Sequence, residues 1–415
     1  MTLFSVCANP PPSRYDLDPR DSSSDQLVSS TITLHSSQRE MHDIMRSQTE
    51  EMREMRELLH RALSSNELQN ASVDIAEQLM AGGQNDLRQL RKVQERQFGD
   101  DIVRSTSPLP QVSDSQLYLE LQRDLITLHR ETGIPPTIKI LDGEVKRLDT
   151  IPIAGGTYSD VWLGLWLGEK KVALKALRNI RAADPKAKKR FENEINMWAG
   201  LKNDHILPFY GIVTDMGQHI HMVSPWQENG NVLEYVKTHG DSNTRIRLIR
   251  GAAQGLAYLH SRKIIHGNMK CANILVTGEG EACICDFGMS KVIEEVTEKS
   301  ASATLTAGGN ARWMAPELIE GSTPTVEADT YSYAMAILEL VTGKHPFADC
   351  KTTAAVIYEI VVHKRMPSRP EALQYWLSDG LWELLCACWQ TDAASRPSMA
   401  QVTSYIQAME EMAFA

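Results

Sequence analysis

The chain has 415 residues, 42% of them hydrophobic and 23% charged, which excludes collagen-like and wholly disordered classes and leaves room for one large domain with an extension. With 43 Lys and Arg against 53 Asp and Glu, the net charge of -10 would repel a nucleic-acid backbone, and no basic cluster offsets it. Seven cysteines without paired metal-ligand spacing fit a reducing compartment, and no apolar run approaches membrane-spanning length, so the expectation is an intracellular, cytoplasmic protein with no membrane span and no nucleic-acid partner.

Residues 1–33 are rich in Ser, Asp and Pro and read as a disordered tail. Residues 34–104 read as a helical region. Met45, Met52 and Leu59 recur every seventh position with Met41 and Met55 interleaved, a stripe that suits either a short self-associating coiled coil over residues 41–62 or a helix docked elsewhere. Gly82 and Gly83 are expected to break a second helix, and the stretch from Asp86 to Phe98 again has helical pattern. The segment from Ser105 to Ser115, STSPLPQVSDS, has linker composition, so residues 105–146 are taken as a linker and a lead-in helix carrying Leu117, Leu121, Leu125 and Leu128. That helix stops at Gly133, Ile134, Pro135 and Pro136. Residues before about Ser105 are expected to contribute little to the stability of the domain C-terminal to them.

From Thr137 to Ala176 the pattern changes to short strands. Between two of them lies Ile153, Ala154, Gly155, Gly156, Thr157, Tyr158, Ser159, Asp160 and Val161, a turn able to lay backbone N–H groups over phosphates. Taken alone it is weak evidence. Next, Val172, Ala173, Leu174 and Lys175 put one lysine in an apolar strand, where a buried ammonium needs an anion. A lysine pointing into solvent is the plainer reading. Asp184 and Pro185 open a helix with Phe191, Ile195 and Trp198, and Glu194 sits on its apolar side, where a carboxylate could meet Lys175.

Three motifs then come in order: HGNMKCAN from His266 to Asn273, DFG at Asp286, Phe287 and Gly288, and APE at Ala315, Pro316 and Glu317. Their order and spacing resemble the catalytic-loop, metal-binding and activation-segment motifs of protein kinases. The phrases MVSPWQENGNV and ANILV are similar to the tyrosine-kinase-like group, especially the expanded kinase-like proteins of mushroom-forming fungi. The resemblance covers residues 147–413 and implies an α+β, bilobal kinase-like fold. A small β-rich N-lobe and a larger α-helical C-lobe would follow a helical and disordered N-terminal extension.

By position, the resemblance implies that Ala154, Gly156, Val161 and Ala173 flank the nucleotide, Lys175 holds its phosphates, Glu194 pairs with Lys175, and Pro225 and Gln227 form the hinge beside a small Ser224. Asn273 and Asp286 would hold Mg²⁺, or Mn²⁺ in its place, because an amide oxygen and a carboxylate are hard donors. Asp329 would support the catalytic-loop backbone, and Glu317 with Arg396 would fasten the activation segment. ATP and a protein substrate are the implied partners.

The sequence also departs from the family. Asn268 stands where active kinases carry the aspartate that takes the substrate hydroxyl's proton, and an amide cannot take it. Asn310 stands where a threonine usually bonds that aspartate and the lysine at Lys270, and Gly267 replaces the arginine that grips a phosphorylated segment. Three readings stay open: a serine/threonine kinase of weakened rate, to which Lys270 points; an ATP-binding pseudokinase acting as scaffold or switch; and an oligomerising adaptor working through the N-terminal helices.

Overall fold

The computed structural model of the chain describes residues 43, 46–47, 50–54, 57, 69–101, 112–155, 159–181, 195, 198–287, 310–369 and 377–414. Of the residues singled out by sequence, Met41, Met45, Met55, Leu59, Gly156, Thr157, Tyr158, Asp184, Pro185, Phe191, Glu194 and Gly288 lie outside these, as do residues 1–33. Two lobes are present. The first is a six-stranded antiparallel sheet built from β1 (Val145–Arg147), β2 (Ala154–Gly155), β3 (Ser159–Trp166), β4 (Lys170–Arg181), β5 (Gly211–Val213) and β6 (His219–Pro225). Its order is β1-β3-β4-β6-β5, with β2 paired to β3. The second lobe is mostly helical, with α4 (Ser242–Ser261), α6 (Val326–Thr342), α8 (Asp379–Cys388) and α9 (Met399–Phe414) as its longer helices. The short helix α3 (Val232–Tyr235) begins it, capped by the Asn231 side chain. A two-stranded hairpin, β7 (Ile274–Val276) and β8 (Ala282–Ile284), and two further short helices, α5 (Pro316–Ile319) and α7 (Thr353–Val361), complete it.

Strand alternation explains why the sheet divides two cores. Along β4 and β6, Val172, Leu174 and Val223 belong to an outer apolar cluster, whereas Met222 and Ile220 belong to the core shared with the helical lobe. Lys175, next to Leu174, points to the inner side, where its ammonium pairs with Asp286.

The outer cluster is closed by α1 (Gln69–Asp101) and α2 (Val112–Thr132). Ala76, Met80, Leu87 and Leu90 of α1 and Leu117, Leu121, Leu125, Ile126 and Leu128 of α2 are buried with Trp166, Val172 and Leu174 of the sheet. Polar groups fix the register of this packing. The buried Glu144 carboxylate accepts from Gln84 Nε2 at 2.9 Å and from the Trp166 indole at 3.0 Å. Gln84 Oε1 in turn accepts the backbone N–H groups of Thr137 and Ile138, each at 3.0 Å. The residues before Ser105, expected to contribute little to the domain's stability, therefore supply part of the small lobe's core through α1.

Nor do Gly82 and Gly83 interrupt the chain, since α1 runs through both. Two helical glycines cost about 1 kcal/mol each, and at Gly83, though not at the open Gly82, close packing accounts for the residue. A Cβ on Gly83 would lie 2.6 Å from Leu125 Cδ2 and 3.1 Å from the Met52 sulfur. Met52, from the methionine stripe, is itself buried here, and the adjacent Arg53 bonds Glu120 of α2 at 3.0 Å.

Candidate active site

The cleft site is assembled from the inner face of the sheet, the loop between α4 and β7, and the residues after β8. In the sheet, Val161 lies opposite Lys175, Ala173 opposite Ser224, and Val172 opposite Pro225. Ala154 pairs with Val161 and is exposed. Past Pro225, Trp226 N–H donates to Lys171 O at 3.2 Å, and a turn closes from Gly230 N–H to Gln227 O at 3.1 Å. The connection between the lobes thus leaves the sheet in a fixed direction.

Lys175 pairs directly with Asp286. Burial alone would raise the Asp286 carboxyl, but the ammonium beside it and its hydrogen bond prevail and hold it below the usual carboxylate range. Asp286 has φ +63°, an uncommon conformation for a residue with a side chain. Phe287 comes next, packed edge-on against Trp198 at 5.3 Å and His266 at 6.5 Å between ring centroids.

The loop from His266 to Asn273 is held from both sides. Asp329 on α6 accepts the N–H groups of His266 at 2.7 Å and Gly267 at 2.8 Å, and bonds His260 Nε2 at 3.0 Å. Gly267 has φ +74°, the left-handed turn that turns these consecutive N–H groups toward one carboxylate. Burial lowers the His266 imidazole from its ordinary value, and its Nδ1 accepts the N–H of Asn268 at 3.2 Å. Asn273 Nδ2 donates to Asn268 O at 2.8 Å, which spends the amide's donor side on the loop and leaves its oxygen as an acceptor. Lys270 Nζ donates to Asn310 Oδ1 at 2.9 Å, and burial lowers its ammonium from the ordinary lysine value against the pull of Asp286 and Glu339.

Below the site, Arg396 grips Glu317 through both terminal guanidinium nitrogens, at 2.6 and 2.9 Å, and lies over the Tyr331 ring. Trp389 is buried in the same core. Three expected partnerships are therefore present, Lys270 with Asn310, Asp329 with the loop backbone and Glu317 with Arg396, and two further pairs, Lys175 with Asp286 and Asn268 with Asn273, join residues of the expected site. Glu339 and Trp313, which also touch this assembly, were not anticipated. Glu339's signal is an acid inside the apolar run from Met335 to Val341, since a carboxylate in a buried helix must find donors.

Among the described residues no cluster of three or more His, Cys, Asp or Glu gathers as for a transition metal. The oxygen donors at the cleft are instead Asn273 and Asp286, whose chemistry fits a hard, hydrated Mg²⁺. Six described cysteines are free thiols, and no helix among the described residues is long and apolar enough to cross a membrane.

An ammonium meeting a carboxylate beneath a β-sheet, beside a loop anchored by a buried aspartate, suits an anionic ligand whose charge is partly carried by a divalent ion. The family model for protein tyrosine and serine/threonine kinases matches residues 150–406, more than half of the chain. Its span takes in the sheet, the cleft and the helical lobe together, with ATP as the nucleotide such a domain binds and a protein as its substrate. The chain belongs to the protein tyrosine and serine/threonine kinase family.

Proposed function

We propose that the kinase domain, over residues 147–413, binds ATP with Mg²⁺ and transfers phosphate to serine or threonine hydroxyls of a protein substrate at a rate reduced by Asn268. Lys175 neutralises the non-transferring phosphates, with Glu194 as its carboxylate partner. Asn273 and Asp286 hold the metal ion, which neutralises charge on the phosphates. Pro225 C=O and Gln227 N–H receive the adenine, and Val161 and Ala173 pack against it.

In the transfer, the substrate oxygen forms a bond to the terminal phosphorus, the bond from that phosphorus to the bridging oxygen breaks, and ADP leaves with the electron pair. Lys270 supplies positive charge to the group in transit. The substrate's proton has no carboxylate to receive it at Asn268 and passes to solvent or to the phosphate itself. General-base catalysis is worth about 10²–10⁴-fold, so its loss slows transfer without abolishing it. The observation that carries this reading is the anchoring of Asn268: His266 accepts its N–H and Asn273 donates to its carbonyl, so the loop is built while its acidic group is absent.

The test compares ATP affinity and turnover in one preparation. The wild type is expected to bind ATP better with Mg²⁺ than without and to transfer slowly, and Lys175→Met to lose binding. Asn268→Asp is expected to raise turnover by roughly 10- to 10⁴-fold, and adding Asn310→Thr to raise it further by fixing the new carboxylate. If both variants bind ATP normally and stay inactive, the scaffold reading replaces this one. A wild type that already turns over at about 1–100 per second would overturn the role given to Asn268.

A further inference from the structure

Glu339 is only 3% exposed, yet its two oxygens face three donors from three different segments. Oε2 accepts the backbone N–H of Cys271 at 3.1 Å and the indole N–H of Trp313 at 3.0 Å, while Oε1 meets His345 Nδ1 at 2.9 Å. The Cys271 thiol adds a bond to Ala336 O of the same helix at 3.0 Å. Cys271 directly succeeds Lys270, and Trp313 presents its ring 6.0 Å from the Lys270 ammonium. One carboxylate therefore holds both the main chain next to Lys270 and the aromatic wall its ammonium faces. With Asp329 at His266 and Gly267, α6 clamps the loop at both ends and leaves the stretch carrying Asn268 and Lys270 between the clamps.

We infer that Glu339 is a positioning residue for phosphoryl transfer, fixing the Lys270 ammonium through Cys271 and Trp313. The inference rests on Lys270 meeting the transferring group, as in the proposed function. A carboxylate that merely tied α6 to its neighbours would affect stability alike whether or not Lys270 were present. A positioning carboxylate acts only through Lys270. The two roles separate in a double-mutant cycle, because partners in one chain of contacts are not additive.

The experiment uses the full chain and measures affinity for Mg²⁺-ATP against Mg²⁺-ADP, together with hydrogen exchange at the Cys271 amide. Glu339→Ala and Lys270→Ala are each expected to cut the preference for ATP, by roughly tenfold for contacting residues, and the double variant to be no worse than Lys270→Ala. Glu339→Gln keeps an acceptor oxygen for Cys271 and Trp313 and is expected to restore most of the preference. Cys271 exchange should accelerate in the alanine variant and not in the glutamine one. If Glu339→Ala fails to fold, Trp313→Phe takes its place in the cycle, removing the indole donor while keeping a ring. Losses that multiply in the double variant, or Cys271 exchange unchanged in Glu339→Ala, overturn the inference. A wild type that binds neither nucleotide would instead defeat the proposed function, and the exchange measurement would still decide the role of Glu339.

Discussion

Replacing Leu87 by alanine tests whether α1 belongs to the small lobe's core. Leu87 is 2% exposed in the outer cluster, and truncating a buried leucine costs about 2–5 kcal/mol. At about 2 °C per kcal/mol, the lower end suited to a unit this large, the melting temperature should fall by about 4–10 °C. Ile75, on the same helix but 39% exposed, is the control, and Ile75→Ala should change stability by no more than about 0.5 kcal/mol. Calorimetry is the assay, because it also counts transitions. One endotherm that moves as a whole in Leu87→Ala is the expected result. A separate low-temperature transition, or a Leu87→Ala shift no larger than that of Ile75→Ala, would refute the idea that α1 and the sheet form one core. The same reasoning enlarges for deletion of residues 1–104. Met52, Met80, Leu87 and Leu90 would each forfeit about 1.5–3 kcal/mol of burial, a total comparable to the roughly 5–15 kcal/mol that stabilises a typical domain.

Gly255→Ala in α4 should destabilise even though alanine is the better helix former by about 1 kcal/mol, because its Cβ would sit 2.5 Å from the backbone oxygen of His205; chemical denaturation checks the sign. Asp86 supplies a pH test. Burial raises its carboxyl from 3.8 to about 6, so the folded state holds a proton that the unfolded chain releases, and stability falls as pH rises through that interval. Asp86→Asn should remove this loss and stabilise the protein above pH 6, as read by melting temperature across the range; equal slopes for the two proteins would contradict it.

Much of the cleft was legible because each motif carries its own chemistry. Lys175 stands out as a charge in an apolar strand, and Asp286, Asn273 and Asp329 emerge from the ordered motifs. The Lys175 ammonium meets Asp286 here, a pairing that depends on backbone placement after β8 and leaves no mark in local spacing. The two-lobed fold was legible from the resemblance that the ordered motifs carry, with which the strand-like and helix-like periods on either side of Ser224 agree. The docking of α1 and α2 was not, because an apolar stripe declares that a helix must be covered without declaring by what. Gly83 shows the same limit: read locally it breaks a helix, and only the positions of Leu125 and Met52 reveal it as a contact surface. Glu339 was missed for a related reason, since its donors come from segments distant in sequence.

The alternation along β4 brings two environments within one peptide bond of each other. Leu174 is sealed beneath α1 and α2, and Lys175, the next residue, reaches the carboxylate in the cleft. The two residues share one backbone held on both sides by the sheet, so a displacement of the strand at one residue carries its neighbour with it. A partner that pries the helices from the sheet would thus alter the seat of the cleft's lysine from behind, without ever entering the cleft.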